Sequence, residues 1–210
     1  YASKLDYYEI DYDVFASSYY PFWHGTFHDL KNTMENLVAR YDKPLILAEM
    51  AHAYRKSQGN LFGEAQEKIA GFPANPDAQR TVLELIMSIA AHVSKDMGLG
   101  VFYWEPFWQT KEDDDSWASC MVLVDHTGMP TEGCKAFAVN PKETDMNRSA
   151  KIYEPKAITV PSIDAWKNYL PRQVRVLMWD GRIENRDVCW EMDAVLSQQE
   201  HHIQGVLSSG

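Results

Sequence analysis

A chain of 210 residues, 45 % of them hydrophobic, can bury one sizeable core, or a moderate core with a small satellite domain. Its 20 basic against 30 acidic side chains leave a formal charge of −10, which argues against nucleic acid or an anionic membrane as partner, because polyanions are held by Lys and Arg; a neutral substrate stays open. No apolar run reaches the roughly 18 residues that a membrane span needs.

The aromatic content, with 7 Trp and 11 Tyr, supplies flat faces of the kind set against sugar rings, although such residues also fill ordinary cores. Three cysteines, Cys120, Cys134 and Cys189, lack the paired spacing of a zinc site and allow at most one bridge. Cys120 and Cys134 can bridge if the strand-like run before Asp125 doubles back; otherwise they are buried thiols. The chain opens on Tyr1-Ala2-Ser3-Lys4 without an initiator Met and closes just after a strand-like run, so both ends read as cuts and the missing leader says nothing about secretion.

In chain order, residues 12–20 are rich in aromatic and β-branched side chains and run into Pro21, which reads as a buried strand ending in a loop. Thr26 with Asp29 resembles a capping box, and Phe27, Leu30, Met34, Leu37, Val38 and Tyr41 then recur at helical spacing. Lys43-Pro44 breaks that helix. Leu45-Ile46-Leu47-Ala48 is a continuous apolar run of the kind a strand buried on both faces requires, and Glu49 follows at once. After a polar stretch over residues 54–71, Asn75 caps a helix with Pro76 at its first position and an apolar stripe of Val82, Leu83, Leu85, Ile86, Ile89 and Val93. Gly98 and Gly100 stop it, and Val101-Phe102-Tyr103-Trp104 is a third strand, ended by Glu105-Pro106. Strand, helix, strand, helix, strand with short connections is the pattern of parallel βαβ units, so residues 1–140 read as α/β.

Residues 141–154, rich in Lys, Asn, Glu and Pro, read as a linker. Beyond it, residues 157–160, 173–179 and 187–190 are short β-rich runs; Val174, Val176 and Met178 alternate with polar partners, and Asp180-Gly181 is a two-residue hairpin signal. Residues 155–210 therefore read as a small all-β domain.

Parallel α/β folds place their sites at the carboxyl ends of strands. Three polar clusters fall there: residues 17–24, 49–54 and 105–108. A carboxylate directly after an apolar strand costs desolvation energy unless it is paired or used, so Glu49 and Glu105 call for explanation, either as backbone-held structural groups or as chemistry. His24 and His52 titrate near neutrality by type, yet a lone histidine is more often a hydrogen-bonding filler. His201-His202 are strand neighbours pointing to opposite faces, a poor metal pair.

The segment from Tyr12-Asp13-Val14-Phe15-Ala16-Ser17-Ser18-Tyr19-Tyr20-Pro21-Phe22-Trp23-His24-Gly25-Thr26 is similar to the sixth-strand region of the arabinogalactan endo-β-1,4-galactanases. Lys43-Pro44-Leu45-Ile46-Leu47-Ala48-Glu49 resembles their seventh strand, and Gly98-Leu99-Gly100-Val101-Phe102-Tyr103-Trp104-Glu105-Pro106-Phe107-Trp108 their eighth. Asp77-Ala78-Gln79 falls where the family starts its seventh helix, and Trp117 with residues 123–128 resembles its closing segment. The resemblance implies the C-terminal part, about strands six to eight, of a (β/α)8 TIM barrel of a retaining glycoside hydrolase. It makes Glu49 the catalytic nucleophile and has Tyr19, Trp23, His24, Trp104, Glu105 and Trp108 lining the sugar subsites, with Tyr19 close to the nucleophile. The implied partner is β-1,4-galactan or arabinogalactan, in a secreted or cell-surface monomer of bacterial type with no cofactor.

Retention needs two carboxylates about 5 to 5.5 Å apart. The segment that should carry strands one to five, with the acid/base glutamate, is absent, so the chain alone is expected to be inactive and to expose two sheet edges. Bacterial members carry a calcium site after strand seven, with Asp, His and Asn ligands. Residues 55–63 retain only Asn60 of such a set, so no metal is expected. The tail from about Tyr153, through Leu170-Pro171, Asp180-Gly181 and Val188-Cys189-Trp190-Glu191, resembles a bacterial immunoglobulin-like module, usually a spacer. Two other readings stay open: a non-catalytic galactan-binding or surface protein, and a related retaining barrel glycosidase of other sugar preference.

Overall fold

The structure is a computed structural model that describes residues 1–57, 62–108, 117–153, 163–191 and 205–207. It divides into two compact units, one of Tyr1–Asn147 with Trp179–Gly181 and one of Arg148–Met178 with Arg182–Gly210.

The first unit opens on a short helix, α1 (Ala2–Tyr7), which the sequence reading did not foresee. Strand β1 (Phe15–Tyr19), helix α2 (Phe27–Tyr41), strand β2 (Leu45–Met50), helices α3 (Glu64–Ala70) and α4 (Pro76–Ala91) and strand β3 (Gly98–Tyr103) follow. The strands form one parallel sheet in the order β1-β2-β3, as the βαβ pattern requires.

The two long helices start where their caps dictate. The Thr26 hydroxyl accepts the Asp29 N–H at 3.1 Å, and Asp29 Oδ2 accepts the Thr26 hydroxyl at 2.7 Å and the Thr26 N–H at 2.8 Å; the last two bonds, the hydroxyl's foremost, hold the Asp29 carboxyl below the usual carboxylate range. Asn75 Oδ1 accepts the Ala78 N–H at 2.7 Å ahead of Pro76. Such a cap stabilises its helix by about 1 kcal/mol. Phe27, Leu30, Met34 and Val38 of α2 are buried, as are Val82, Leu83, Leu85, Ile86 and Ile89 of α4. Helix α4 packs on β3, β2 and α2. It stops at His92, and Gly98 belongs to β3 rather than to the helix stop.

The strands differ from expectation in one respect. Leu45, Leu47 and Met50 of β2 are buried, but Ala48 is exposed, and β1 is covered only from Tyr19 onward. Helices cover one face of the sheet, and no described layer lies on the other, so the apolar run of β2 is not buried on both sides. After β3 the chain folds back: Leu123 and Val124 donate to the Pro106 carbonyl at 2.8 and 3.2 Å, and Thr131 donates to the Leu123 carbonyl at 2.8 Å. The run before Asp125 doubles back here without bridging the cysteines. Cys120 is a buried free thiol, and Cys134 donates its thiol to the Leu123 carbonyl at 3.1 Å.

In the second unit the described strands are β4 (Ser149–Tyr153), β5 (Gln173–Met178), β6 (Ile183–Trp190) and β7 (Gly205–Leu207), antiparallel in the order β4-β5-β6-β7. Part of the stretch read as a linker is thus a strand, because Ile152 and Tyr153 find partners in Val176 and Arg175 of β5. Val174, Val176 and Met178 form the buried face with Val188, Trp190 and Leu207 packed on it, in keeping with their alternation. The connection from β5 to β6 runs over four residues, 179–182, with Gly181 at φ 82 and Met178 donating to the Arg182 carbonyl, rather than the two-residue turn expected. The β-run at residues 157–160 and the pair His201-His202 lie outside the described residues. No described helix is long and apolar enough to cross a membrane.

Helix α4 approaches β3 so closely that a Cβ on Gly98 would sit 1.7 Å from the Ala90 carbonyl oxygen, a backbone atom that cannot swing away. Gly98→Ala in the intact protein is expected to cost about 3 kcal/mol through forced separation of helix and strand; a urea midpoint equal to wild type would contradict this packing.

Candidate active site

The site is built where the ladder ends. Glu49 is the second-last residue of β2, half-buried, and pairs across the ladder with Ser18 of β1. Tyr19 pairs with Met50. In a strand, alternate residues share a face, so Ser18 and Tyr20 face with Glu49 while Tyr19 turns with Met50 to the helix side. The Tyr20 hydroxyl accordingly donates to Glu49 Oε2 at 3.0 Å. Tyr19 instead donates its hydroxyl to the Gly25 carbonyl at 3.0 Å and sets its ring edge-on to Phe27 of α2. The residue next to the candidate nucleophile is therefore Tyr20, one position beyond the Tyr19 that the resemblance nominated. Strand parity was the available signal, and the shift in register between Ser17 and Ser18 is what a sequence does not display.

Tyr20 is itself fixed. Its ring lies 5.3 Å from Trp23, 5.6 Å from Phe22 and 5.7 Å from His24. Its N–H donates to His24 Nδ1 at 3.1 Å, and its carbonyl accepts the Trp23 and His24 N–H groups at 2.9 Å. Because Nδ1 accepts, the neutral His24 ring carries its proton on Nε2, which leaves that N–H available to a ligand. Trp23 is half-exposed, at 50 %, above fully buried Phe22. One turn thus brings together Tyr20, Trp23, His24 and Glu49.

The third cluster joins through the backbone. Trp104 donates its N–H to the Met50 carbonyl at 2.9 Å, extending the ladder one step past β3, and its half-buried ring packs on the cluster that holds Tyr20, Phe22 and Cys120. Glu105 then turns at φ 49, a left-handed conformation that costs a non-glycine residue about 1 kcal/mol or more. Its carbonyl accepts the Trp108 N–H at 3.4 Å, and Phe107 and Trp108 are left exposed. Glu105 is solvent-facing, a loop residue beside aromatic surface.

His52, by contrast, is buried: its Nε2 lies 3.1 Å from the Pro73 carbonyl and its ring meets Phe62 edge-on. Arg55 reaches from the loop after β2 to the hydroxyls of buried Ser119 at 2.9 Å and Tyr54 at 3.2 Å. Asn60 lies outside the described residues. Two features escaped the sequence reading: Tyr20, and the buried amide of Gln79 on α4, whose only signal was its place in Asp77-Ala78-Gln79.

Residues 1–152 match the model of glycosyl hydrolase family 53. The chain belongs to that family. It is 39 % identical over 110 residues to the endo-beta-1,4-galactanase of Bacillus subtilis (strain 168), covering 51 % of this chain and 25 % of that protein. It is 36 % identical over 104 residues to the arabinogalactan endo-beta-1,4-galactanase of Cellvibrio japonicus (strain Ueda107), covering 47 % and 27 %. Among solved structures it is similar to the Ignisphaera aggregans GH53 catalytic domain, with TM-score 0.57 and 31 % identity over 64 % of this chain and 41 % of that one. The family 53 chain described here therefore spans between a quarter and two fifths of the length of these three relatives.

Burial, then the hydrogen bond to Glu49 and its negative charge, pushes the Tyr20 phenol well above the ordinary tyrosine range; burial does the same to Tyr103. Above about pH 10 the unfolded chain ionises phenols that the fold keeps protonated, so it binds fewer protons and stability falls as pH rises, having been flat below. The urea midpoint of the intact protein is expected to drop between about pH 9.5 and pH 11, with a slope of up to about 1.4 kcal/mol per pH unit for each such phenol. Tyr20→Phe should reduce that slope while leaving the Tyr103 contribution; an unchanged slope would mean that Tyr20 titrates normally.

Proposed function

We propose that the intact protein is an endo-acting galactanase that cuts β-1,4-galactosidic bonds of galactan or arabinogalactan with retention of configuration, with Glu49 as nucleophile. The observation that carries this reading is the Tyr20 hydroxyl on Glu49 Oε2 at the carboxyl end of a parallel strand, in a chain of this family. The bond fixes the carboxylate plane and leaves the other oxygen to attack. In the first step that oxygen bonds to the anomeric carbon while the glycosidic C–O bond breaks and an acid protonates the leaving oxygen; in the second, water deprotonated by the same group displaces Glu49.

In this reading β1, β2 and β3 are strands six, seven and eight of a (β/α)8 barrel. The acid/base glutamate then belongs to a fourth strand outside these 210 residues, and the chain by itself is not expected to hydrolyse galactan. Trp23, His24, Trp104 and Trp108, with Glu105 at the rim, form the sugar platform: aromatic faces stack on pyranose rings, and the His24 Nε2–H and the Glu105 carboxylate address hydroxyls. The protein acts as a secreted or surface-held monomer, and its second unit is an immunoglobulin-like spacer. The spacer reading is supported by the antiparallel sheet β4-β5-β6-β7 with its one apolar face.

The test uses the intact protein with galactan, following the anomeric configuration of the product by NMR. Wild type is expected to release retained product, and Glu49→Gln to lose activity by about a thousandfold or more. Full activity in Glu49→Gln refutes the nucleophile. Inactivity in wild type together with galactan binding favours a carbohydrate-binding protein, and preference for mannan or cellulose favours a sister specificity.

A further inference from the structure

We propose that Gln79 is a positioning residue for the Glu49 centre, an inference that takes the galactanase reading as its basis for the kinetic effect. Gln79 lies in the first turn of α4 and is fully buried. An amide side chain has two hydrogens to give and one oxygen to receive with. The Nε2 hydrogens have their nearest acceptors in the His52 carbonyl at 3.0 Å and the Val122 carbonyl at 3.1 Å. Oε1 accepts the Thr131 hydroxyl at 2.7 Å.

Those partners, together with Tyr103, belong to three pieces of backbone. His52 stands three residues beyond Glu49. Val122 and Thr131 flank the fold-back that runs over the end of β3. The third piece is reached through Tyr103, the last residue of β3, whose hydroxyl lies 3.3 Å from Gln79 Nε2 and donates to the Met121 carbonyl. Tyr103 immediately precedes Trp104 and Glu105. The Gln79 amide, with the Tyr103 hydroxyl that also lies 3.4 Å from the His52 carbonyl, therefore adds to the Trp104–Met50 ladder bond in tying the strand end that bears the nucleophile to the strand end that bears the aromatic platform. The approach is tight: a Cβ on Gly133 would fall 2.5 Å from Gln79 Oε1, so the fold-back is shaped around this amide.

Gln79 touches neither Glu49 nor the space where a sugar would bind in this reading. Its effect reaches the chemistry through the carbonyls it holds, and buried carbonyls that lose their nearest donor would shift toward another. A displacement of about 1 Å at the nucleophile is enough to cost about a hundredfold in rate.

The experiment compares intact wild type, Gln79→Met, which keeps the volume and removes both donor and acceptor, and Gln79→Glu, which keeps only the acceptor for Thr131. The readouts are kcat and KM on galactan at a temperature where circular dichroism shows all three folded, and amide hydrogen exchange. Expected are a fall in kcat of about a hundredfold for Gln79→Met with KM within about twofold, and faster exchange confined to residues 50–53 and 121–124. Gln79→Glu should not rescue kcat, because the donors are what the carbonyls need. Wild-type kcat in a variant that is merely less stable, or unchanged exchange at both segments, overturns the proposal. If wild type itself does not cleave galactan, the functional reading falls, and the exchange data alone decide whether Gln79 holds the two strand ends. Should Gln79→Met fail to fold, Thr131→Val removes one anchor of the amide and is expected to shift kcat and local exchange the same way by a fewfold, an unchanged variant again overturning the proposal.

Discussion

A carboxylate at the end of an apolar strand must be given hydrogen bonds or give up its charge, and the first unit is organised around meeting that demand for Glu49. The donor comes from the neighbouring strand: Tyr20 leaves β1 on the face that Ser18 and Glu49 share, and its hydroxyl closes on Oε2. To keep the phenol there, the chain after β1 winds into a tight turn whose own N–H groups return to the Tyr20 carbonyl. That turn projects Trp23 outward and orients His24 through Nδ1. The exposed aromatic surface is thus a consequence of fixing the carboxylate.

The same economy operates one layer further out. Helix α4 begins at Asn75 because an Asx cap and Pro76 make that start favourable, and this start is what places Gln79 under the carboxyl ends of β2 and β3. Its other end is held by the close approach of Gly98 to the last turn. A helix registered at both ends can act as a ruler between strands, whereas one with slack at either end could not.

Much of this was legible in the residues. The caps at Thr26 and Asn75 and the apolar stripes behind them gave α2 and α4 their start, since capping and helical periodicity are local properties. The three strands followed from apolar runs bounded by Pro and Gly. Helices α1 and α3 were missed because each is one to two turns long, too short to display a period; Gly63 and Gly71 bracket α3, but glycines also mark plain loops. Tyr20 was missed for a different reason. Which of two adjacent tyrosines faces a glutamate on another strand depends on register, and a one-residue irregularity at Ser17 and Ser18 sets it. Gln79 was hidden because the nearest acceptors of its amide hydrogens are backbone carbonyls 27 and 43 residues distant, and carbonyls leave no mark in a sequence.

The central claim, that Glu49 forms a bond to sugar, is tested most directly by trapping that bond. An activated 2-deoxy-2-fluoro-β-galactoside carries a leaving group that departs without protonation, and the fluorine slows the second step, so the nucleophile is read independently of the acid that helps it. Peptide mass spectrometry of the intact protein after such treatment is predicted to find the fluorogalactosyl mass on the peptide containing Glu49, and to lose it in Glu49→Gln. The label on a different carboxylate, or no label on an enzyme that turns over galactan, would contradict the account.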